Sequence, residues 1–312
     1  MKSSSELFPV ALMKADFLAN GLHEDIYLLK PNLDPDPSVQ IAVTRVGKQV
    51  NGDRGTPIAL LHGAFTNRGI WKSYNDSSFI TYLINEGFDP WLVEMRGHGD
   101  SPFNNDYRNN SLERIARYDL EAVTDFIIEQ TDKKPVWLGF SWGGVCISVG
   151  VALEKLTSHN CSALILIGAQ AGRYPFALRT PLIRSLVKAM TALRKKPYTS
   201  SLGPEPEPPG IGKEFVKWAS LFTPWRDSQK RPIRDLLSNS KLPVFAVAGE
   251  NDRSDPPKYC QRLAESFGGQ SVFIKLKKYT HANLVLGKDL DTDLWPRVID
   301  WIKSNPNNEE TA

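Results

Sequence analysis

The sequence predicts an α/β fold: a mostly parallel, eight-stranded sheet with helices on both faces and an inserted helical cap. Three observations carry this. Apolar, β-rich runs alternate with helical patterns in βαβαβ order. Several runs are almost continuously apolar, as in "IALL" at 58–61, "VWLGF" at 136–140 and "ALILIG" at 163–168. Strands buried on both faces of a parallel sheet read that way. From 171 to 240 the strand pattern stops altogether.

In chain order, strands are expected at Ile26–Leu29, Gln40–Val46, Pro57–Leu61, Asp89–Glu94, Pro135–Phe140, Ala163–Gly168, Pro243–Ala248 and Val272–Leu276. Helices are expected at Ser78–Glu86, Leu112–Gln130, Gly143–Leu156, Pro257–Phe267 and Leu294–Ser304. Within 171–240, Thr180-Pro181 marks a helix start. Leu182, Ile183, Leu186, Val187, Met190 and Leu193 follow at helical spacing. A Pro-rich loop, "GPEPEPPG", precedes a second helix in "KEFVKWASLF", and a third, polar one is expected over Arg231–Ser238. The sheet domain is thus expected over 1–170 and 241–312, and the cap over 171–240.

Length and composition agree. A chain of 312 residues, 41% hydrophobic, can bury one large core plus an elaboration. With 38 basic and 35 acidic side chains, the formal charge of +3 demands no nucleic-acid partner. Three widely spaced cysteines, Cys146, Cys161 and Cys260, form no disulfide framework and no metal-ligand spacing. They fit a reducing, cytoplasmic setting. The apolar stretch Leu7–Met13 ends at Lys14 and Asp16 with no small-residue cleavage site after it, so no signal peptide is expected. No apolar run reaches the roughly 18 residues that span a bilayer.

The sharpest motif is Gly139-Phe140-Ser141-Trp142-Gly143-Gly144. It joins an apolar strand to an apolar helix, which is the setting of a G-x-S-x-G nucleophile elbow. Ser141 is the candidate nucleophile. The N–H of Trp142, at a helix start, is the first candidate oxyanion donor. The second is expected from the loop after the third strand, Leu61-His62-Gly63-Ala64-Phe65: the N–H of Ala64, with that of Phe65 as the alternative. His62 is read as structural, holding that loop.

An elbow serine needs a base, and the base needs an orienting acid, following in the order Ser, Asp or Glu, His. Of five histidines, His23, His62 and His98 precede the elbow, and His159 precedes every candidate acid. Only His281 has the right order. Three acids compete after the strand "PVFAVAG": Glu250, Asp252 and Asp255. Asp252 is favoured for its place in the turn. Asp255, before Pro256-Pro257, looks like a helix cap, and Glu250 is expected to be solvated.

Together these residues resemble the α/β-hydrolase superfamily, from about Pro57 to the C-terminal helix. Leu61-His62-Gly63 is similar to its oxyanion-loop motif, and Glu94–Ser101 ("EMRGHGDS") to its "RGHG-x-S" turn, where Arg96 and Asp100 are expected to be anchors. Tyr118-Asp119-Leu120 and the segment His281–Gly287 are similar to acid-lipase-like members. Ser141 argues against the haloalkane dehalogenase and epoxide hydrolase branches, which use Asp at the elbow. The resemblance implies two-step acyl transfer with no metal or organic cofactor, and a small-molecule ester as substrate. An acyltransferase, a thioesterase or amidase, and a binding protein on the same fold remain alternatives.

The apolar and aromatic content of the cap, including Phe176, Leu182, Ile183, Leu186, Phe215, Trp218, Phe222 and Trp225, suits a lipophilic substrate. Phe65, Trp218 and Phe222 are the candidate substrate contacts. The cap is also basic, with thirteen Lys and Arg against five Asp and Glu over 171–240. That balance fits peripheral contact with an anionic membrane surface, or simply a solvated face.

Overall fold

The structure is a computed structural model; it describes residues 3–18, 21–48, 54–71, 78–219 and 225–305. A single mixed sheet organises the chain, in the order β1-β2-β3-β5-β4-β6-β7-β8-β9. The strands are β1 Val10–Phe17, β2 His23–Leu29, β3 Ile41–Gly47, β4 Thr56–Leu61, β5 Phe88–Val93, β6 Val136–Phe140, β7 Ala163–Ile167, β8 Val244–Gly249 and β9 Ser271–Leu276. Strands β1 to β3 run antiparallel to their neighbours, and β5-β4-β6-β7-β8-β9 are parallel.

All eight expected strands are present, and among the described residues β1 brings the sheet to nine. This edge strand buries only Val10, and its register slips between Leu12 and Lys14. A strand with almost nothing to bury carries no alternating pattern, so nothing in its sequence marks it as a strand.

The helices are α1 Phe79–Asn85, α2 Leu112–Arg114, α3 Leu120–Thr131, α4 Trp142–Ala152, α5 Pro181–Leu193, α6 Pro209–Trp218, α7 Ile233–Leu237, α8 Pro257–Ala264, α9 Asn283–Leu286, α10 Leu290–Asp293 and α11 Trp295–Lys303. A π turn at Ile115–Asp119 links α2 to α3. Ser78 starts α1 by accepting the N–H of Thr81 at 3.1 Å, as its residue type favours. No helix among the described residues is long and apolar enough to cross a membrane.

Alternate strand residues feed two cores, one on each face of the sheet. Ala59 and Leu61 join Trp91, Trp137 and Leu164 on one side. Ile58 and Leu60 join Leu92, Leu138 and Ile165 on the other. Period-two alternation, buried both ways, is the physical origin of the continuous apolar runs.

The topology also places the site. After β4 the chain crosses to β5 on one side; after β6 it crosses to β7 on the other. Strands β4 and β6 are therefore paired neighbours whose following loops diverge. Such a switch point leaves a crevice at the carboxyl ends of the strands, where ligands bind in open α/β sheets. The segment between β7 and β8 holds α5, α6 and α7, with two isolated bridges, Tyr198 to Glu207 and Arg226 to Pro232.

Candidate active site

Ser141 sits on the turn between β6 and α4 with φ 53° and ψ −118°, a strained backbone for a residue with a Cβ. The turn is held by its glycines. A Cβ on Gly143 would lie 2.4 Å from the carbonyl oxygen of Leu61, and one on Gly139 would lie 2.4 Å from the nitrogen of Gly144. Both clashes are with backbone, which cannot swing aside. The strand, the turn and the close approach of the β4 loop therefore depend on one another.

The candidate acid and base follow the last two strands, β8 and β9. His281 Nδ1–H donates to Asp252 Oδ2 at 2.7 Å. The other oxygen of Asp252 accepts the N–H groups of Ser254 and Asp255, at 2.9 and 2.7 Å. Asp252 is buried, so both of its oxygens are committed. Burial opposes a charge on His281, but its bond to Asp252 and the nearby Asp255 and Asp252 charges outweigh that, and its pKa is raised.

Asp255 lies closer to the chemistry than a helix cap would. Its Oδ2 is 3.6 Å from His281 Nδ1 and accepts the hydroxyl of Ser141 at 3.4 Å. Burial pushes its carboxyl up to about 6, against the opposing pull of His281. Among the described residues, that bond is the one the Ser141 hydroxyl makes; none joins it to His281. The candidate nucleophile and base are thus brought to one crevice without a hydrogen bond between them; in unliganded catalytic sites such bonds are often long.

The loop after β4 packs directly on the elbow: a Cβ on Gly63 would lie 3.0 Å from the Cβ of Ser141. His62 is fully buried, and burial followed by the neighbouring His98 lowers its pKa to about 3. It is neutral, with Nδ1–H donating to Gly63 O at 2.9 Å and Nε2 accepting the N–H of Met95 at 3.0 Å. The Thr66 hydroxyl donates to the same Gly63 oxygen at 2.9 Å. A trans peptide points its N–H opposite its C=O. Anchoring Gly63 O on one side therefore turns the Ala64 N–H to the other. Among the described residues, no hydrogen bond occupies the N–H of Ala64 or of Trp142. The N–H of Phe65 is taken, at 2.6 Å, by the carboxylate of Glu207.

The turn after β5 is structural. Arg96 is fully buried between Asp34, at 2.8 Å, and Asp119. Asp100 binds Arg68 at 2.6 Å, and Arg68 also pairs with buried Glu94 at 2.5 Å.

The aromatic expectations are partly revised. Phe65 stands 6.0 Å from the ring of Trp142, and Phe215 of α6 stands 4.9 Å from it on centroids. Trp218 does not join this wall: it is 1% exposed, donates to Arg226 O and packs against Trp225. One turn along α6, Phe215 takes the place expected of Trp218. Phe222 lies outside the described residues. On α5 the apolar residues do not line the crevice; Leu182, Leu186, Met190 and Leu193 are 81, 62, 63 and 78% exposed. The three cysteines are free and buried, and no cluster among the described residues could hold a metal ion.

Known proteins share this architecture. A thermophilic esterase from Thermogutta terrifontis superposes with a TM-score of 0.62 at 18% identity, covering 89% of this chain and 98% of that one. A Schizosaccharomyces pombe protein described as a probable lipase is 33% identical over 137 residues, 41% of this chain and 30% of that protein. The chain spans about a third of the length of the two fission-yeast relatives it matches. A pimeloyl-acyl-carrier-protein methyl ester esterase from Neisseria meningitidis is 25% identical over 243 residues, 72% of this chain and 85% of that protein. The model of the alpha/beta hydrolase family matches residues 58–286, which include the elbow, Asp252 and His281, and the chain belongs to that family.

Proposed function

We propose that the protein is a serine hydrolase that cleaves carboxylic esters with a lipophilic acyl or alcohol group. The observation that carries this is the strained Ser141 at a helix start, with the Asp252–His281 pair 2.7 Å long beside it. His281 Nε2 removes the proton of Ser141 as Oγ attacks the ester carbonyl. The N–H groups of Ala64 and Trp142 receive the developing oxyanion, helped by the positive end of α4. The proton passes from His281 to the departing alcohol, leaving an acyl-enzyme. Water then gives its proton to His281, attacks the acyl carbon, and releases the acid. The wall of Phe65, Trp142 and Phe215 supports an apolar substrate, and the helices of 171–240 act as a cap over it. The lipase and esterase names of the relatives agree with this reading.

The test is hydrolysis of p-nitrophenyl esters from short to long acyl chains, with Ser141→Ala as the blank. Turnover that vanishes in the blank supports the esterase, and the favoured chain length sizes the pocket. If folded protein turns over no ester, a thioester, amide or acceptor-dependent transfer takes its place.

Asp255 sets a pH prediction. His281 works as a base only when neutral, so kcat/KM falls as pH drops through its raised pKa. Asp255→Asn removes a negative charge that favours the imidazolium. The acidic limb of kcat/KM is therefore expected to move to lower pH. A limb that stays or moves upward would show that Asp255 does not act on the base.

The cap also offers a docking face. Leu182, Leu186, Met190 and Leu193 form one exposed stripe of α5, while Arg184, Val187 and Thr191 face inward and are half-buried. The amphipathic helix is turned apolar side out. Beside it, a groove of about 490 Å³ between α5 and α6 is lined by Arg184, Lys188, Lys213 and Lys217. An exposed apolar ridge with a cation-bearing groove on the same cap is complementary to an anionic lipid surface. Phosphatidylserine vesicles are expected to pellet the protein at low salt, with loss of binding in Leu186→Glu. Absence of pelleting rejects the lipid surface, and self-association in sedimentation without lipid would assign the stripe to a second copy.

A further inference from the structure

The oxyanion loop is gripped from the cap. Phe65 has φ 60°, a conformation that a non-glycine residue holds only under constraint. Both of its backbone polar groups are tied to the β7–β8 segment. Its N–H donates to Glu207 Oε1 at 2.6 Å, and its C=O accepts the N–H of Glu205 at 3.0 Å. The two segments approach so closely that a Cβ on Gly203 would lie 2.0 Å from Phe65 O. Glu207 is itself fixed at the backbone, exchanging 2.8 Å hydrogen bonds with Tyr198 in both directions, while Tyr107 Oη donates to Pro206 O at 2.8 Å.

The Glu207 side chain is 1% exposed. A buried carboxylate is costly unless its charge is met. Its Oε1 lies 3.3 Å from Nε2 of His98, equally buried, whose other nitrogen bonds Arg96 O at 3.2 Å. Burial opposes a charge on His98, yet the contact with Glu207 prevails and its pKa is raised. The ring of His98 in turn stands 5.2 Å from that of His62, which anchors Gly63. The Gly63-Ala64-Phe65 backbone is therefore clamped at two points, by His62 on the sheet side and by Glu207 on the cap side.

We propose that Glu207 is a positioning residue of the oxyanion hole: by holding the Phe65 N–H, it keeps the neighbouring Ala64 N–H free and aimed at the reacting carbonyl. Phe65 is thereby removed as an oxyanion donor, and the cap becomes part of the catalytic geometry as well as a pocket wall. This inference rests on the serine hydrolase reading above.

Two near-isosteric variants separate reach from charge. Glu207→Gln keeps an oxygen at the same reach and loses the charge. Glu207→Asp keeps the charge and withdraws the oxygen by about 1.5 Å, one carbon–carbon bond. A misplacement on the order of 1 Å can cost ~10²-fold in rate. Glu207→Asp is expected to lose on the order of 10²-fold in kcat with KM nearly unchanged, and to bind a boronic acid transition-state analogue correspondingly more weakly. Glu207→Gln is expected to stay within about tenfold of the parent, well short of an oxyanion donor's ~10²–10³. Thermal melts of both variants confirm that folded protein is compared. If Gln is as damaging as Asp or more so, charge pairing with His98 is the role and the proposal fails. It fails equally if both variants match the parent. Absence of Ser141-dependent turnover in the parent itself overturns the hydrolase reading, and this inference with it.

Discussion

Ser141→Ala is expected to lower kcat by ~10⁶, the scale seen when the nucleophile of a serine triad is removed. The loss should come with almost no change in stability. Alanine keeps the Cβ, so the elbow retains its strained φ of 53° and the helix start behind it. The hydroxyl gives up one long bond, 3.4 Å to Asp255. The change opens no large cavity, breaks no strong pair and leaves the backbone constraint as it is, so none of the mechanisms that cost several kcal/mol applies and melting curves should nearly superpose. What survives is the environment the transition state would meet: free N–H groups at Ala64 and Trp142, and the dipole of α4. Such a site still accelerates the reaction some ~10³-fold over water. Turnover close to the parent would mean that another nucleophile acts, and the esterase assignment to this crevice would fall.

The sheet was legible because its strands are buried on two faces and so announce themselves as apolar runs. The elbow was legible because close backbone approach demands glycine at 139 and 143, and a tight strand-to-helix turn leaves that mark in any sequence. Order along the chain then singled out His281 among five histidines. What stayed hidden lies in relations between distant segments. Strand β1 buries one side chain and leaves no pattern. Phe215 and Trp218 differ by one turn of α6, and only the packing of that helix decides which one meets Trp142. Glu207 sits in "GPEPEPPG", a stretch with no local signal beyond a loop; its meaning comes from Phe65, 142 residues away. The apolar stripe of α5 was equally readable as a buried face. A helix that turns its apolar side to solvent obeys a constraint outside the chain's own core.

Asp252→Asn carries the second large effect, ~10⁴ in turnover, and its cause is a tautomer. Asp252 Oδ1 accepts two backbone N–H groups and Oδ2 accepts Nδ1–H of His281. In the asparagine variant the amide oxygen keeps the two backbone donors, since an NH₂ group there would face them. The NH₂ is then left pointing at Nδ1, which must become the acceptor. The proton moves to Nε2, the nitrogen that has to receive the proton of Ser141, and the base is disabled while the fold stands. Asp255 complicates this in an instructive way, because its Oδ2 is only 3.6 Å from the same Nδ1. With Asp252 neutral, a small rotation of the ring would bring Nδ1–H to Asp255 and restore the working tautomer. The two carboxylates then act on one proton, and their single variants are not independent. If Asp252→Asn loses the full ~10⁴ and adding Asp255→Asn costs little more, Asp252 is the acid alone. If Asp252→Asn keeps appreciable turnover that the double variant abolishes, Asp255 serves as a second acid. That reserve would then fade as pH falls, because burial raises the Asp255 pKa and only its ionised form can accept Nδ1–H.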